Sequence, residues 1–180
     1  MRWKQIVATG MTLGTVSGAG FATTALAAPA GPAGFGMFST WQAAQKAAKF
    51  KLLKPTATDK LPRNGKIVVT RCEAQKKSRA HVVIAVYGLT PFKMLSLSQN
   101  NSGQACSTVG KVKSLGKVKV DGTTAQVTGK CGFDHLRSCK STKVFLFLTW
   151  RKHGIYYFAT SFGEARKTLT GFAAGLRPIG

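Results

Sequence analysis

From Lys143 to Ser161 apolar side chains fall at every second position. Val144, Leu146, Leu148 and Trp150 alternate along one run and Ile155, Tyr157 and Ala159 along a second, with Lys152-His153-Gly154 between them. A period of two puts each set on one face of a strand, and a glycine in the interval supplies the permissive backbone of a tight turn. The stretch therefore predicts a β-hairpin. The intervening positions carry Phe145, Phe147, Tyr156 and Phe158. Apolar groups on both faces predict a hairpin covered on both sides and central in its sheet. Beyond it the period changes: Ala165, Leu169, Phe172, Ala173 and Leu176 recur at three- and four-residue spacing, and Ser161 with Glu164 has the spacing of a capping box. Together these predict a terminal helix that covers one side.

Earlier in the chain the runs Lys66–Cys72, Ala80–Tyr87 and Met94–Gln99 are β-branched or alternating and read as a meander. Lys111–Val120 and Thr123–Lys130 flank Asp121-Gly122, a strong hairpin signal. Ahead of the strands, Ser39 and Gln42 have capping-box spacing before Ala44, Ala47, Ala48 and Phe50, which predicts a short helix from Thr40 to Lys49. Residues Leu52 to Asn64 read as an ordered excursion. The fold class is α+β: a single antiparallel sheet of about seven strands with the C-terminal helix packed on it, and the N-terminal helix a candidate for the same role. If consecutive strands alternate in direction, Cys72, Cys106, Cys131 and Cys139 fall at one pole of the sheet. The turns at Asp121-Gly122 and His153-Gly154 then fall at the other.

Composition adds an address. Arg2 and Lys4 precede a weakly apolar stretch that ends in Ala25-Leu26-Ala27, a small-x-small site, so residues 1–27 read as a signal peptide. A membrane anchor would need about 20 predominantly apolar residues, and the many Gly and Thr residues here argue against one. Residues 28–37 are a Pro/Gly/Ala-rich flexible linker, and 38–180 form one domain. Its four cysteines favour two disulfides in an oxidising compartment, and the absence of a C-x-x-C pair argues against zinc. Cys131 with Cys139 and Cys72 with Cys106 is the expected pairing among three connectivities.

Charge is lopsided. The chain has 27 Lys and Arg against 5 Asp and Glu, for a net charge of +22, and loss of Arg2 and Lys4 with the leader takes it to +20. Such a field draws in anionic polymers and surfaces. Lys111, Lys113, Lys117 and Lys119 fall on one strand face with Leu115, opposite Val112, Val118 and Val120. Same-face residues are about 6.6 Å apart, a spacing that can follow a polyanion. The plain alternative, given precedence, is a solvated edge strand whose lysines prevent edge-to-edge pairing. Lys76, Lys77, Arg79, Arg137 and Lys140 could form a second basic surface at the cysteine pole. Most aromatic residues are assigned to the core, which argues against single-stranded nucleic acid.

Catalytic signals are sparse. His81 and His135 would share the cysteine pole, with His153 at the far end, and two histidines with a lysine could serve a secreted nuclease. No companion motif supports that. Asp134-His135 offers too few ligands for a metal. Asp59, Glu73, Asp121, Asp134 and Glu164 are scattered, and no spacing among them suggests the facing carboxylate pair of a glycosidase. Phosphate-binding glycine loops and a G-x-S-x-G elbow are absent. The reading is non-enzymatic, with no cofactor or metal.

The order of features also carries a resemblance. Leu148-x-Trp150, Gly154, Tyr157 and a helix with Leu169, Phe172, Ala173 and Leu176 follow Ala44-Gln45-x-Ala47, Phe50-x-Leu52-Leu53-x-Pro55, Leu61-Pro62 and Leu95-x-Leu97-x-Gln99. From Trp41 to Pro178 the chain resembles a bacterial extracytoplasmic domain of unknown function found in anti-sigma-type and sporulation-type membrane proteins and lipoproteins. The resemblance implies an α+β domain that senses, binds or scaffolds at the cell envelope, with no catalytic residues to carry over. This chain departs from the pattern in lacking a lasting anchor, in its four cysteines and in its strong positive charge. The expected function is a secreted, non-enzymatic binding or structural domain acting at or outside the envelope. One alternative is a cationic protein attaching to anionic wall polymers, lipid or nucleic acid, and another is a secreted hydrolase or nuclease.

Overall fold

In the computed structural model the alternating runs become strands, and the described residues are 35–72, 80–90, 93–106, 109–131 and 144–180. In chain order the elements are β1 (Gly36–Phe38), α1 (Trp41–Ala48), β2 (Leu53–Pro55), β3 (Arg63–Arg71), β4 (His81–Thr90), β5 (Lys93–Asn100), β6 (Lys113–Val120), β7 (Thr123–Cys131), β8 (Val144–Lys152), β9 (Ile155–Phe162), α2 (Arg166–Ala174) and β10 (Leu176–Pro178). The leader, most of the linker, Glu73, Lys76, Lys77, Arg79, Asp134, His135, Arg137, Cys139 and Lys140 lie outside the described residues.

The main sheet is antiparallel and has eight strands in the order β1-β3-β4-β5-β9-β8-β7-β6, while β2 and β10 pair as a second, two-stranded sheet. Eight replaces the expected seven because β1 pairs Gly36 through Phe38 with Val69 through Ile67. A three-residue strand is too short to show a period, so this one read as linker. The predicted hairpin is β8–β9, and it is central.

Strand direction departs from simple alternation. β5 pairs with β9, and β6 lies at the far edge beside β7. Through the antiparallel pairs β5·β9, β9·β8, β8·β7 and β7·β6, strands β5 and β6 run the same way. The connection between them therefore returns along the sheet, and every end assigned after it is reversed. Arg71, His81, Asn100, the β8–β9 turn and the β6–β7 turn share one end, called here the turn end. Cys131 pairs with Val144 at the opposite, far end. The expected single cysteine pole is thus corrected: Cys72 and Cys106 are at the turn end, and Cys131 is not. Directions alternate between neighbours in a sheet, and neighbours in sequence need not be such.

Paired residues project to the same face. One face carries Ile67, Val83, Tyr87, Leu97, Val127, Leu148, Trp150, Tyr157 and Ala159, all buried, and these join Trp41, Ala44 and Ala48 of α1 with Leu169, Phe172 and Ala173 of α2 in one core. Tyr87 and Phe172 meet edge-on at 5.7 Å, so both helices lie on this side. Phe145, Phe147 and Phe158 stack on the other face, with centroids 6.2 and 5.7 Å apart. Its cover is uneven: Phe147 and Thr160 are buried, while Phe145, Tyr156 and Phe158 are half-buried.

Both helix starts differ from expectation. Thr40, not Ser39, caps α1, its hydroxyl accepting from the Ala43 N–H at 3.2 Å. α2 begins at Arg166 after Ala165, which offers no side-chain cap. Ser161 lies inside β9, paired with Leu95 on one side and Leu146 on the other, and Leu176 belongs to β10. Two ladders of backbone hydrogen bonds outweigh the single bond a capping serine would make. Among the described residues no helix is long and apolar enough to cross a membrane.

Candidate anion-binding surface

The lysines expected to bind polyanions lie on β6, which ends the sheet order and has one neighbour. Its residues are nearly all exposed. Lys113 pairs with Gly129, but a β-bulge between Ser114 and Gly116 shifts the register, so that Lys117 pairs with Gln126 and Lys119 with Thr124. Gly129 continues to Leu146 on the helix face, whereas Gln126 continues to Thr149 and Phe158 on the other. Lys113 therefore projects to the helix side, and Lys117 and Lys119 project to the opposite side. This corrects the single-face stripe, because one inserted residue inverts the parity of a strand. Leu115 parts from Lys117 and Lys119 as well. It lies against Gly129, where an added Cβ would stand 2.8 Å from Leu115 Cδ1.

On the helix side Lys111, Lys113, Lys130 and Arg166 surround a 540 Å³ hollow with Leu115, Val144 and Leu146 among its walls and Glu164 at its edge. The side chains of Lys111, Lys113 and Lys130 make no hydrogen bond or ion pair among the described residues. Arg166 is committed: Nη1 donates to Leu115 O at 3.0 Å and Nη2 to Lys117 O at 3.4 Å, which ties α2 to the bulge. Lys130 and Arg166 were missed in the sequence. The signal for Arg166 is its place in a first helical turn, where the macrodipole disfavours a cation, so it needs another partner.

Carboxylates offer little counter-charge. Of the three among the described residues, Glu164 is buried with Oε1 3.6 Å from Lys93 Nζ. Asp121, in the β6–β7 turn, is paired with Lys152 of the β8–β9 turn. The hydrogen bond and charge of Lys152 hold the Asp121 carboxyl below its ordinary range. Burial, and after it the nearby Asp121 charge, push the Tyr157 hydroxyl up. Asp59 has no partner among the described residues.

Of the three histidines, His81 and His153 are among the described residues and His135 is not. His81 Nδ1 lies 2.7 Å from Ala48 O, and its ring meets Phe35 edge-on at 5.2 Å, so it secures the end of α1. Cys131 and Val144, which flank the stretch containing His135, are at the opposite end of the sheet from His81. His153 tips the β8–β9 turn with φ 49° and lies at the turn end together with His81, not at the far end as expected. Cys72 and Cys106 lie at disulfide distance, Cα to Cα 4.9 Å, linking the end of β3 to the segment after β5. The expected Cys131–Cys139 pairing lies outside the described residues. Among the described residues no group of three metal-ligating side chains occurs. Compared with known proteins, the chain matches no family model, no curated protein and no solved structure.

Proposed function

We propose that this protein is a non-enzymatic binding domain, acting at or outside the cell envelope, whose partner is an anionic polymer held by charge. The observation that carries the reading is the imbalance at the β6 edge. Lys111, Lys113 and Lys130 are unpartnered there among the described residues, while Asp121 and Glu164 are already answered by lysines of the same molecule. The bulge spreads these cations around an edge strand, so a flexible chain could contact both sides at once. A rigid rod would meet only one. Location outside the cytoplasm is the part of the reading that rests on the leader sequence and is supported by the cysteine pair at disulfide distance.

Charge-driven binding weakens with salt. Each lysine that neutralises a phosphate of duplex DNA contributes about −0.9 to the slope of log affinity against log salt concentration. With duplex DNA as a polyanion of known charge density, a variant carrying Lys111, Lys113, Lys117 and Lys119 all →Gln should bind at least about tenfold more weakly at low salt. Its salt slope should be shallower by about 2, because a rigid duplex meets one side of β6 and the four lysines divide two and two. Unchanged affinity and slope in that variant would remove the β6 edge from the binding surface.

A further inference from the structure

A second concavity lies at the turn end of the sheet, away from the β6 lysines at Lys111 and Lys113. It encloses 730 Å³, within the range of about 300–1,000 Å³ usual for small-molecule sites. Two structures that meet only partly leave it open. On one side the β2–β10 pair is pinned to the main sheet by Gln99, whose Oε1 accepts from Leu53 N at 2.9 Å and whose Nε2 donates to Leu53 O at 2.7 Å. On the other, the β8–β9 hairpin runs on to its tight turn. The space between them is walled by Leu53, Ile155, Tyr157, Leu176 and Ile179, while Lys51, Asp121, Lys152 and His153 line it as polar groups.

The charges of this lining are unequal. Its one carboxylate, Asp121, is taken by Lys152. The Lys51 ammonium has no partner among the described residues. The remaining field is positive, set against walls that are mostly hydrocarbon. A cationic ligand would be repelled, and a polyanion would find no room among the apolar walls. A molecule with an apolar body and one negative charge satisfies both features. We propose that this cavity binds a small amphiphilic monocarboxylate, its apolar body against Leu53, Ile155, Tyr157 and Leu176 and its carboxylate beside Lys51 and His153.

The site lies at the opposite end of the sheet from Lys111 and Lys113, so the two can be tested independently. Calorimetric titration of the full chain with decanoate and with decyltrimethylammonium, both below micelle-forming concentrations, reads the preference. Decanoate should bind one equivalent with at least about tenfold higher affinity than the cation. Lys51→Glu should weaken decanoate about tenfold and bring the two ligands closer together. Ile155→Trp, which places an indole in the cavity, should abolish binding while duplex DNA is still bound. Because that variant could fail to fold, hydrogen exchange on the unmutated protein serves beside it: decanoate should protect amides of β2, β9 and β10. Equal affinity for the two ligands, or an unaltered Lys51→Glu titration, would overturn the charge assignment. Protection elsewhere, absence of saturable binding, or decanoate loss in the β6 lysine variant would overturn the site.

Discussion

Gln99 is the residue on which two parts of the architecture depend. It continues the inward phase of Leu95 and Leu97 yet is polar, and it is fully buried. Its amide exchanges two hydrogen bonds with the backbone of Leu53, on β2 of the two-stranded sheet, where β10 is the one strand partner. Gln99→Leu keeps the volume but strands the half-buried N–H donor and C=O acceptor of Leu53, each worth about 1–3 kcal/mol. Urea unfolding should show a loss of about 2–4 kcal/mol, and a loss under about 0.5 kcal/mol would mean that Leu53 finds other partners. The sequence displays the anomaly, a polar side chain in an apolar phase, but not the partner, which is 46 positions away. Leu115 is the converse case. The bulge signal in Lys113-Ser114-Leu115-Gly116-Lys117 is a single glycine inside a strand pattern, Gly116 at φ 97°, and the bulge decides which way each lysine points.

Among elements, the long periodic ones were legible because many side chains vote for the same face. The bodies of β3 to β9 lie where the patterns put them, within a few residues, and two helices form, though their positions differ from the expected ones. Their ends were not, since an end rests on one or two residues. Ser39 and Thr40 are adjacent candidates for one cap, and the structure uses Thr40. Thr40→Ala should therefore cost about 1 kcal/mol and Ser39→Ala almost nothing, as measured by thermal unfolding. Equal effects would restore Ser39. At α2 the extended pairing of β9 claims Ser161, and Ala165 is left at a cap position with extended backbone and no side-chain acceptor. Ala165→Ser should raise stability by about 0.5–1 kcal/mol.

Over the whole molecule, the crossing between β5 and β6 is the decisive event. It divides the described cysteines between the two ends and carries the Asp121 and Lys152 turns to the end that holds Cys72 and His81, beside the cavity. Cys72 and Cys106 close a loop with a sequence separation of 34, which would restrict the unfolded chain by about 3–4 kcal/mol. Replacing both by Ala should lower the thermal midpoint accordingly, and an unchanged midpoint would show that the bond contributes nothing. By itself the sequence determined the alternating strands, the two amphipathic helices, the α+β class and the excess of positive charge. These follow from periods and sums that each segment carries within itself. Only the tertiary structure decided which strands are neighbours, which end Cys72, Cys106, Cys131, His81 and His153 occupy, and how the β6 lysines divide. Those depend on pairing between distant segments, where one crossover or one inserted residue reverses every direction or face that follows it.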